Sequence, residues 1–342
     1  MEIIPRLRRG KVLTDSDFGC LKGFPTINIT NGCLFQCAYC YARGYSQAPS
    51  AGIVELYENL PKLLEEELAR KRKIPSWAVM NTSSDCFQPH PEVLTVTYEV
   101  MRLLMDQRIG VSFLTKGEIP RPFIRLFAKS PEKVLAQIGL VSLSKRYWKD
   151  YEPLAPSPEL RLNNIRKLKE IGINCEVRMD PIIPFLTDTE GEVAELFGEL
   201  KKAGAEKVTL SYLHLRPAIQ EQFVKELSPV HAKLLKACFA SQEWKEIGAS
   251  SMTKLLPKII REKGYRRIGE IARQHGIEAL ICQCKNPDLK GDLCGSKRGF
   301  AEKRIEEFAQ LPLFKNPPAS LTFSSNSDYN DKERIKNRQN SR

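Results

Sequence analysis

From residue 24 to about residue 217 the sequence alternates between two kinds of segment, and this limits the folds open to it. Six short apolar runs are rich in β-branched and aromatic residues, as strands buried on both faces are. They are FPTINIT (24–30), WAVMNT (77–82), GVSFLT (110–115), AQIGLVSLS (136–144), NCEVRM (174–179) and KVTLSYLHL (207–215). Between them lie segments of helical period: IVELYENLPKLLEEELARKRK, PEVLTVTYEVMRLLMDQ, SPELRLNNIRKLKEIG and TEGEVAELFGELKKAG. Leu160, Ile165 and Leu168 keep helical spacing, Pro158 suits a first helical position after Ser157, and GI or GA follows where helices should stop. Strands that are each followed by a helix pair in parallel through right-handed crossovers. A partial barrel and a doubly wound open sheet both satisfy the pattern. Both place ligands at the carboxyl ends of the strands.

The expected organisation is an N-terminal extension (1–23), the alternating core (24–217), a mostly helical region (218–312) and a tail (313–342). The tail is polar and without apolar periodicity, so disorder is expected there. No apolar run approaches the ~18 residues of a membrane span. The opening MEIIPRLRRGKVLTDSD lacks the apolar stretch of a secretory leader. A cytoplasmic protein with no membrane partner is therefore expected. The formal net charge of +12 suits a polyanionic partner such as nucleic acid, although RLRRGK and KERIKNRQNSR also fit solvated ends.

Ten cysteines in a cytoplasmic chain point to metal or catalysis before disulfides. Six fall in two tight groups: Cys33, Cys37 and Cys40, then Cys282, Cys284 and Cys294. Cys175 and Cys238 sit in apolar patterns and read as core residues. The first group, NGCLFQCAYC, has the spacing C-x3-C-x2-C directly after the first strand, at the functional end of the fold. A structural zinc site takes four ligands, and so does a closed cubane iron–sulfur cluster. Three thiols leave one iron of a 4Fe–4S cluster open to a small molecule. Zinc with a distant fourth ligand is the alternative.

That spacing, with the aromatic Tyr39 before the third cysteine, resembles the radical S-adenosylmethionine (SAM) superfamily. TSSDCFQPHPE, SFLTKG, YEPLAPSPELRLNNIRKLKEIGI and DPIIPFLTD are similar to its spore photoproduct lyase-like (SplB-like) branch. The resemblance covers about residues 24–217 and implies an α/β fold, a partial (β/α)6 barrel of the radical SAM type with a mostly helical C-terminal extension. It implies that SAM binds the open iron through its amino and carboxylate groups. Reductive cleavage would then yield a 5′-deoxyadenosyl radical that abstracts a substrate hydrogen, with flavodoxin or ferredoxin as electron donor. Ser83, Ser84 and Asp85 fall where the family receives the SAM amino group. Ser142 and Ser144 fall where it contacts ribose or carboxylate. Arg161, after Glu152, or Arg178, at the end of the fifth strand, is implied to hold the carboxylate, with a structural Glu152–Arg161 pair and an Arg178 that balances Asp180 as the alternatives. Tyr39 and Tyr41 are implied to pack on adenine. The DNA lyase of this branch has a hydrogen-returning cysteine just after strand two. Thr82 stands there in this sequence, and Cys86, four residues on, is the remaining thiol in that loop.

The second group reads C-x-C-x9-C in ICQCKNPDLKGDLCGS, which suggests an auxiliary 4Fe–4S cluster or zinc. Cys20, Cys86, His275 or a substrate atom would supply the fourth ligand. The segment MTKLLPKIIREKGYRRIGEIARQ interleaves basic and apolar positions, as a phosphate-tracking helix or a solvated helix face does. The expected function is radical SAM catalysis on DNA or another nucleic acid. A peptide or small metabolite is the alternative substrate, and a non-catalytic zinc-dependent nucleic-acid-binding protein is the alternative of another class.

Overall fold

The computed structural model describes residues 1–16, 20–247, 250–292 and 299–300. Its strands are β1 (Glu2–Arg6), β2 (Thr14–Asp15), β3 (Pro25–Ile27), β4 (Thr30–Asn31), β5 (Ile53–Tyr57), β6 (Trp77–Met80), β7 (Gly110–Thr115), β8 (Val134–Gly139), β9 (Glu176–Ile182), β10 (Lys207–Tyr212), β11 (Lys245–Ile247), β12 (Ser250–Thr253) and β13 (Glu278–Ile281). Its helices are α1 (Leu60–Arg70), α2 (Pro91–Asp106), α3 (Arg121–Phe127), α4 (Lys145–Tyr151), α5 (Pro158–Glu170), α6 (Glu190–Ala203), α7 (Pro217–Glu226), α8 (Pro229–Cys238) and α9 (Lys258–Gln274).

The main sheet runs β13-β10-β9-β8-β7-β6-β3-β2. Its members from β13 to β3 are parallel, and β2 pairs antiparallel at the β3 edge. The parallel α/β architecture expected from the alternation is therefore present. All four residues of β6 are buried, as a strand covered by helices requires. Helix α2 packs Val93, Val96, Val100, Met101 and Leu104 into the core. No helix among the described residues is long and apolar enough to cross a membrane.

Several local readings change. FPTINIT is not one strand: Pro25–Ile27 is β3 of the main sheet, and Thr30–Asn31 is β4 of another sheet. IVELY is not the start of a helix but strand β5, with Val54 and Leu56 buried at a period of two; α1 starts only at Leu60, beside Pro61. β5 joins β1 and β4 in a small separate sheet. Leu160 is exposed, and the buried stripe of α5 is Leu162, Ile165 and Leu168. The chain past residue 217 is not helical alone. It carries the β11–β12 hairpin and then β13, which extends the main sheet by pairing Glu278–Ile281 with Lys207–Leu210. Cys175 is buried and Cys238 packs partly buried against the core. Residues 1–301 form one compact unit. The tail expected to be disordered, and Cys294, lie outside the described residues.

Candidate metal and cofactor site

The loop bearing Cys33, Cys37 and Cys40 leaves the sheet just past β3. Gly32 turns the chain at φ +88°, and a Cβ there would stand 2.9 Å from Pro49 Cγ, so glycine fits as other residues would not. The loop is then tied to four neighbours. Leu34 N–H donates to Gln88 Oε1 at 2.7 Å. Ala38 N–H donates to the Tyr151 carbonyl at 2.9 Å, and the Tyr39 hydroxyl donates to Glu152. Tyr41 donates to the Thr82 carbonyl at 2.7 Å. From α7, Gln222 Nε2 donates to the Cys40 carbonyl at 3.2 Å, while Arg43 pairs with Glu226. A loop after β3 that touches residues following β6, β8 and β10 requires a curved sheet, as a partial barrel provides.

Burial pushes the Cys33 thiol well up, and Asp85 adds to this. Burial also raises Cys37 to about 12, against the pull of Lys116. Without metal these two groups are neutral thiols, and coordination would deprotonate them. Among the described residues no group of three or more His, Cys, Asp or Glu is arranged to hold a single metal ion. A cluster asks for a different arrangement, since each thiolate binds a separate iron. Three thiols on one rigidly tied loop, with the fourth position left to a ligand, suit that donor set.

The residues expected around SAM follow β6 and β8, whereas Arg178 lies inside β9, which runs on to Ile182 and does not end at residue 179. Asn81, at φ +51°, ends β6 and donates to Ser84 Oγ at 2.9 Å. Ser83 donates through N–H and Oγ to Asn28 Oδ1, both at 3.2 Å, and Ser84 donates to the Thr30 carbonyl at 3.2 Å. Asp85 is buried and accepts from Phe87 N–H, Thr115 Oγ1 and Lys116 N–H at 2.7–2.9 Å, which locks the β6 loop to the end of β7. Cys86 is fully buried in the core, and burial raises its thiol well above the ordinary range. Ser142 donates to Glu192 at 2.8 Å and accepts from Ser144 N–H at 3.0 Å; Ser144 caps α4. Arg178 pairs with Asp180 at 2.9 Å, and Lys285 approaches the same carboxylate at 2.6 Å.

Glu152 and Arg161 form a buried ion pair. Arg161 also donates to the carbonyls of Pro156 at 2.9 Å and Gly139 at 3.2 Å, leaving Nη2 buried with no hydrogen-bond partner. Burial alone would raise Glu152, but Arg161 and Lys116 hold its carboxyl below the ordinary value. Among the described residues Lys116 has no acceptor: its ammonium lies 5.4 Å from the Tyr39 ring centroid, in electrostatic reach of Cys37 and Glu152. Tyr39 is buried, whereas Tyr41 is partly exposed, with the Arg216 guanidinium 5.0 Å from its ring centroid. Lys116, Arg216, Gln222, Asn28 and Gln88 join the site without having been legible in the sequence. Only Lys116 had a signal, its place directly after the strand in SFLTKG.

The second cysteine group follows β13, so it also lies at the carboxyl end of the sheet. Cys282 and Cys284 bring their sulfurs to 3.1 Å, with Cys282 buried and Cys284 exposed. Asn286 donates to the Cys282 carbonyl at 2.9 Å, and Arg261 holds Asn286 and Asp288. His214 Nε2 meets the Lys285 carbonyl at 2.8 Å, and burial lowers this imidazole to about 3. Arg261 and Arg267 of the basic segment thus turn inward, Arg267 toward Asp188 at 3.4 Å. His275 ends α9, and Cys20 is partly buried.

A family model described as the radical SAM superfamily matches residues 27–200, just over half of the chain. The chain belongs to the radical SAM superfamily. An uncharacterized protein of Mycobacterium tuberculosis is 29% identical to this radical SAM chain over 224 residues, 61% of this chain and 64% of the relative. A radical SAM Nalpha-GlyT isomerase of Pseudomonas phage M6 is 22% identical over 255 residues, 73% of this chain and 51% of that protein. Among solved structures, a spore photoproduct lyase variant with bound AdoMet and dinucleoside spore photoproduct superposes with a TM-score of 0.60 at 14% identity, covering 81% of each chain. At that identity the likeness is one of fold. The chain spans about two thirds or less of the length of these sequence relatives.

Proposed function

We propose that this radical SAM protein is an enzyme acting on a nucleotide-containing substrate, with residues 24–217 as its catalytic core. The observation that carries the reading is the three-thiol loop closed over by residues from several strand ends, with the unpaired Lys116 ammonium in reach of Cys37. Cys33, Cys37 and Cys40 would hold a 4Fe–4S cluster. Such a cluster, with SAM bound beside it, would supply the reducing electron for radical hydrogen abstraction from a substrate. The chain's own part is to bind and orient. Lys116 offers a charge-assisted hydrogen bond to the SAM carboxylate, a role its free ammonium suits better than the committed Arg161 and Arg178. Ser83, Ser84, Ser142 and Ser144 supply hydroxyls around the amino group and ribose, while Asp85 and the Glu152–Arg161 pair hold the loops that carry them. Tyr41 offers an aromatic face for adenine. Cys86 would return hydrogen only if substrate binding opened the core around it, because its thiol is fully buried.

The charge of +12 and the dinucleoside bound by the fold relative support a nucleic-acid substrate over a peptide or small metabolite. A reductant such as flavodoxin or ferredoxin is required. The 3.1 Å approach of Cys282 and Cys284 supports a second metal centre, an auxiliary cluster or zinc, for which Cys294 is the third thiol of the sequence motif. The test is anaerobic reconstitution with iron and sulfide, followed by assay of 5′-deoxyadenosine with and without oligonucleotide. Cleavage of SAM that survives Cys33→Ala, Cys37→Ala and Cys40→Ala together sinks the reading. Zinc without iron in the reconstituted protein would instead favour a non-catalytic zinc-dependent nucleic-acid-binding protein.

A further inference from the structure

Beyond the cysteine loop, on another face of α7, lies a second cavity of about 310 Å3. It is lined by Gln220 from α7, Lys236, Phe239 and Ala240 from α8 and its end, and Trp244 and Lys254 at the feet of the β11–β12 hairpin. Its two charged lining residues are both lysines, and no carboxylate lines it. Lys254 is fixed by main-chain pairing with Leu215, at 2.8 and 3.0 Å. Its ammonium lies 5.1 Å from the Trp244 ring centroid and has one weak donation, to the Phe239 carbonyl at 3.5 Å. Among the described residues its remaining donors have no acceptor. Lys236 is exposed and makes no ion pair among the described residues. An indole, a carboxamide and two cations without counter-charge form a coherent binding surface. They suit a ligand that is aromatic at one end and anionic at the other. Simple anions need only the lysines, and apolar ligands need neither.

We propose that this cavity is a nucleotide subsite, in which a base lies against Trp244 and its phosphate is held by Lys236 and Lys254. The placement fits a strand of nucleic acid reaching toward the cluster loop. Gln222 and Glu226 of α7 touch that loop at Cys40 and Arg43, while Gln220 of the same helix faces the cavity. The inference deepens the nucleic-acid reading above and rests on it for the identity of the strand. Aromatic stacking and phosphate contact are also how single strands are held without regard to sequence.

The probe is a dye-labelled single-stranded oligothymidylate, followed by fluorescence anisotropy on the full chain. Thymidine monophosphate and inorganic phosphate serve as competitors. Lys236→Ala and Lys254→Ala should each weaken binding about tenfold, and each should lower the slope of log affinity against log salt by about one. Trp244→Ala should weaken binding about tenfold by removing a stacking partner. Thymidine monophosphate should compete better than inorganic phosphate. Unchanged affinity in Lys236→Ala, an exposed position that does not threaten folding, overturns the proposal. Equal competition by the nucleotide and by phosphate overturns it too, because the indole would then contribute nothing. SAM cleavage without oligonucleotide is measured in parallel and should be unchanged in all three variants. Its absence from the unaltered protein overturns the proposed activity, whereas this subsite is judged on binding alone.

Discussion

Cys86 and Lys116 stand on adjacent strand ends and lead to different tests. The Cys86 side chain is fully buried, so a change to alanine removes packed sulfur from the core. Cys86→Ala is expected to lower stability by roughly 1 kcal/mol in urea unfolding, with iron content and 5′-deoxyadenosine formation unchanged. If Cys86 returns hydrogen to a product radical, the same variant will still cleave SAM but give aberrant substrate products in chromatography. Lys116 presents an ammonium without an acceptor among the described residues. Losing one charge-assisted hydrogen bond costs about 1.5–3 kcal/mol, so Lys116→Met should weaken SAM binding by roughly tenfold to a hundredfold. Equilibrium binding of SAM to the reconstituted protein measures this. Unaltered affinity would assign the carboxylate to another cation.

The loops after β6 and β8 are held by buried acids whose loss should be felt as stability. Glu152 accepts from Tyr39 of the cysteine loop and pairs with Arg161 of α5, so one carboxylate joins three segments. Glu152→Gln leaves the Arg161 guanidinium buried without its counter-charge and should cost about 3–5 kcal/mol in the metal-free protein. Chemical denaturation reads this directly. The same carboxylate sets a pH dependence. Burial raises Glu152, but Arg161 and Lys116 win and hold it low; Asp180 is held low against burial by Lys285 and Arg178. For a lowered carboxylate the stabilisation is complete above the unfolded value, about 4, and is lost as pH falls through the folded one. The unfolding free energy of the metal-free protein should therefore decline below about pH 4, and less steeply in Glu152→Gln. An equal decline in both proteins would place the acid sensitivity elsewhere.

β13 changes how the molecule is assembled. Its pairing with β10 puts Cys282 and Cys284 at the same carboxyl end of the sheet as the first cysteine loop. Lys285, in this second loop, reaches back to Asp180 within β9, so a charge contact ties the second cysteine loop to the main sheet. A protein with Cys33, Cys37 and Cys40 all changed to alanine should therefore still carry metal through the second group. Metal analysis after reconstitution checks this. A folded but metal-free triple variant would show that Cys282 and Cys284 are thiols alone. A cavity of about 530 Å3 is lined by Phe87, Pro89, Pro120, Leu154 and Leu160, so Leu160 stands at a cavity wall and not in the core.

The strand runs and the cysteine spacing were legible because both are local. A parallel strand buried on two faces is written as an unbroken apolar run, and a three-thiol loop is written in eight consecutive residues. The third repetition of helix, glycine and strand was also written in the chain. QHGIEALIC follows the grammar of KAGAEKVTL, with Gly276 ending α9 at φ +63°, but its four-residue strand is short and runs straight into cysteines. IVELY was ambiguous for a related reason: five residues carry too few turns to separate a period of two from 3.6. The rest belonged to the tertiary structure. No spacing links Tyr39 to Glu152, Cys40 to Gln222, or Lys285 to Asp180, which are 113, 182 and 105 residues apart. The residue types in these pairs occur throughout the sequence, and only the curvature of the sheet brings these particular ones together. Whether a cation is spent in an ion pair, like Arg161, or left without an acceptor among the described residues, like Lys116, is decided by what the fold places within hydrogen-bond reach of it.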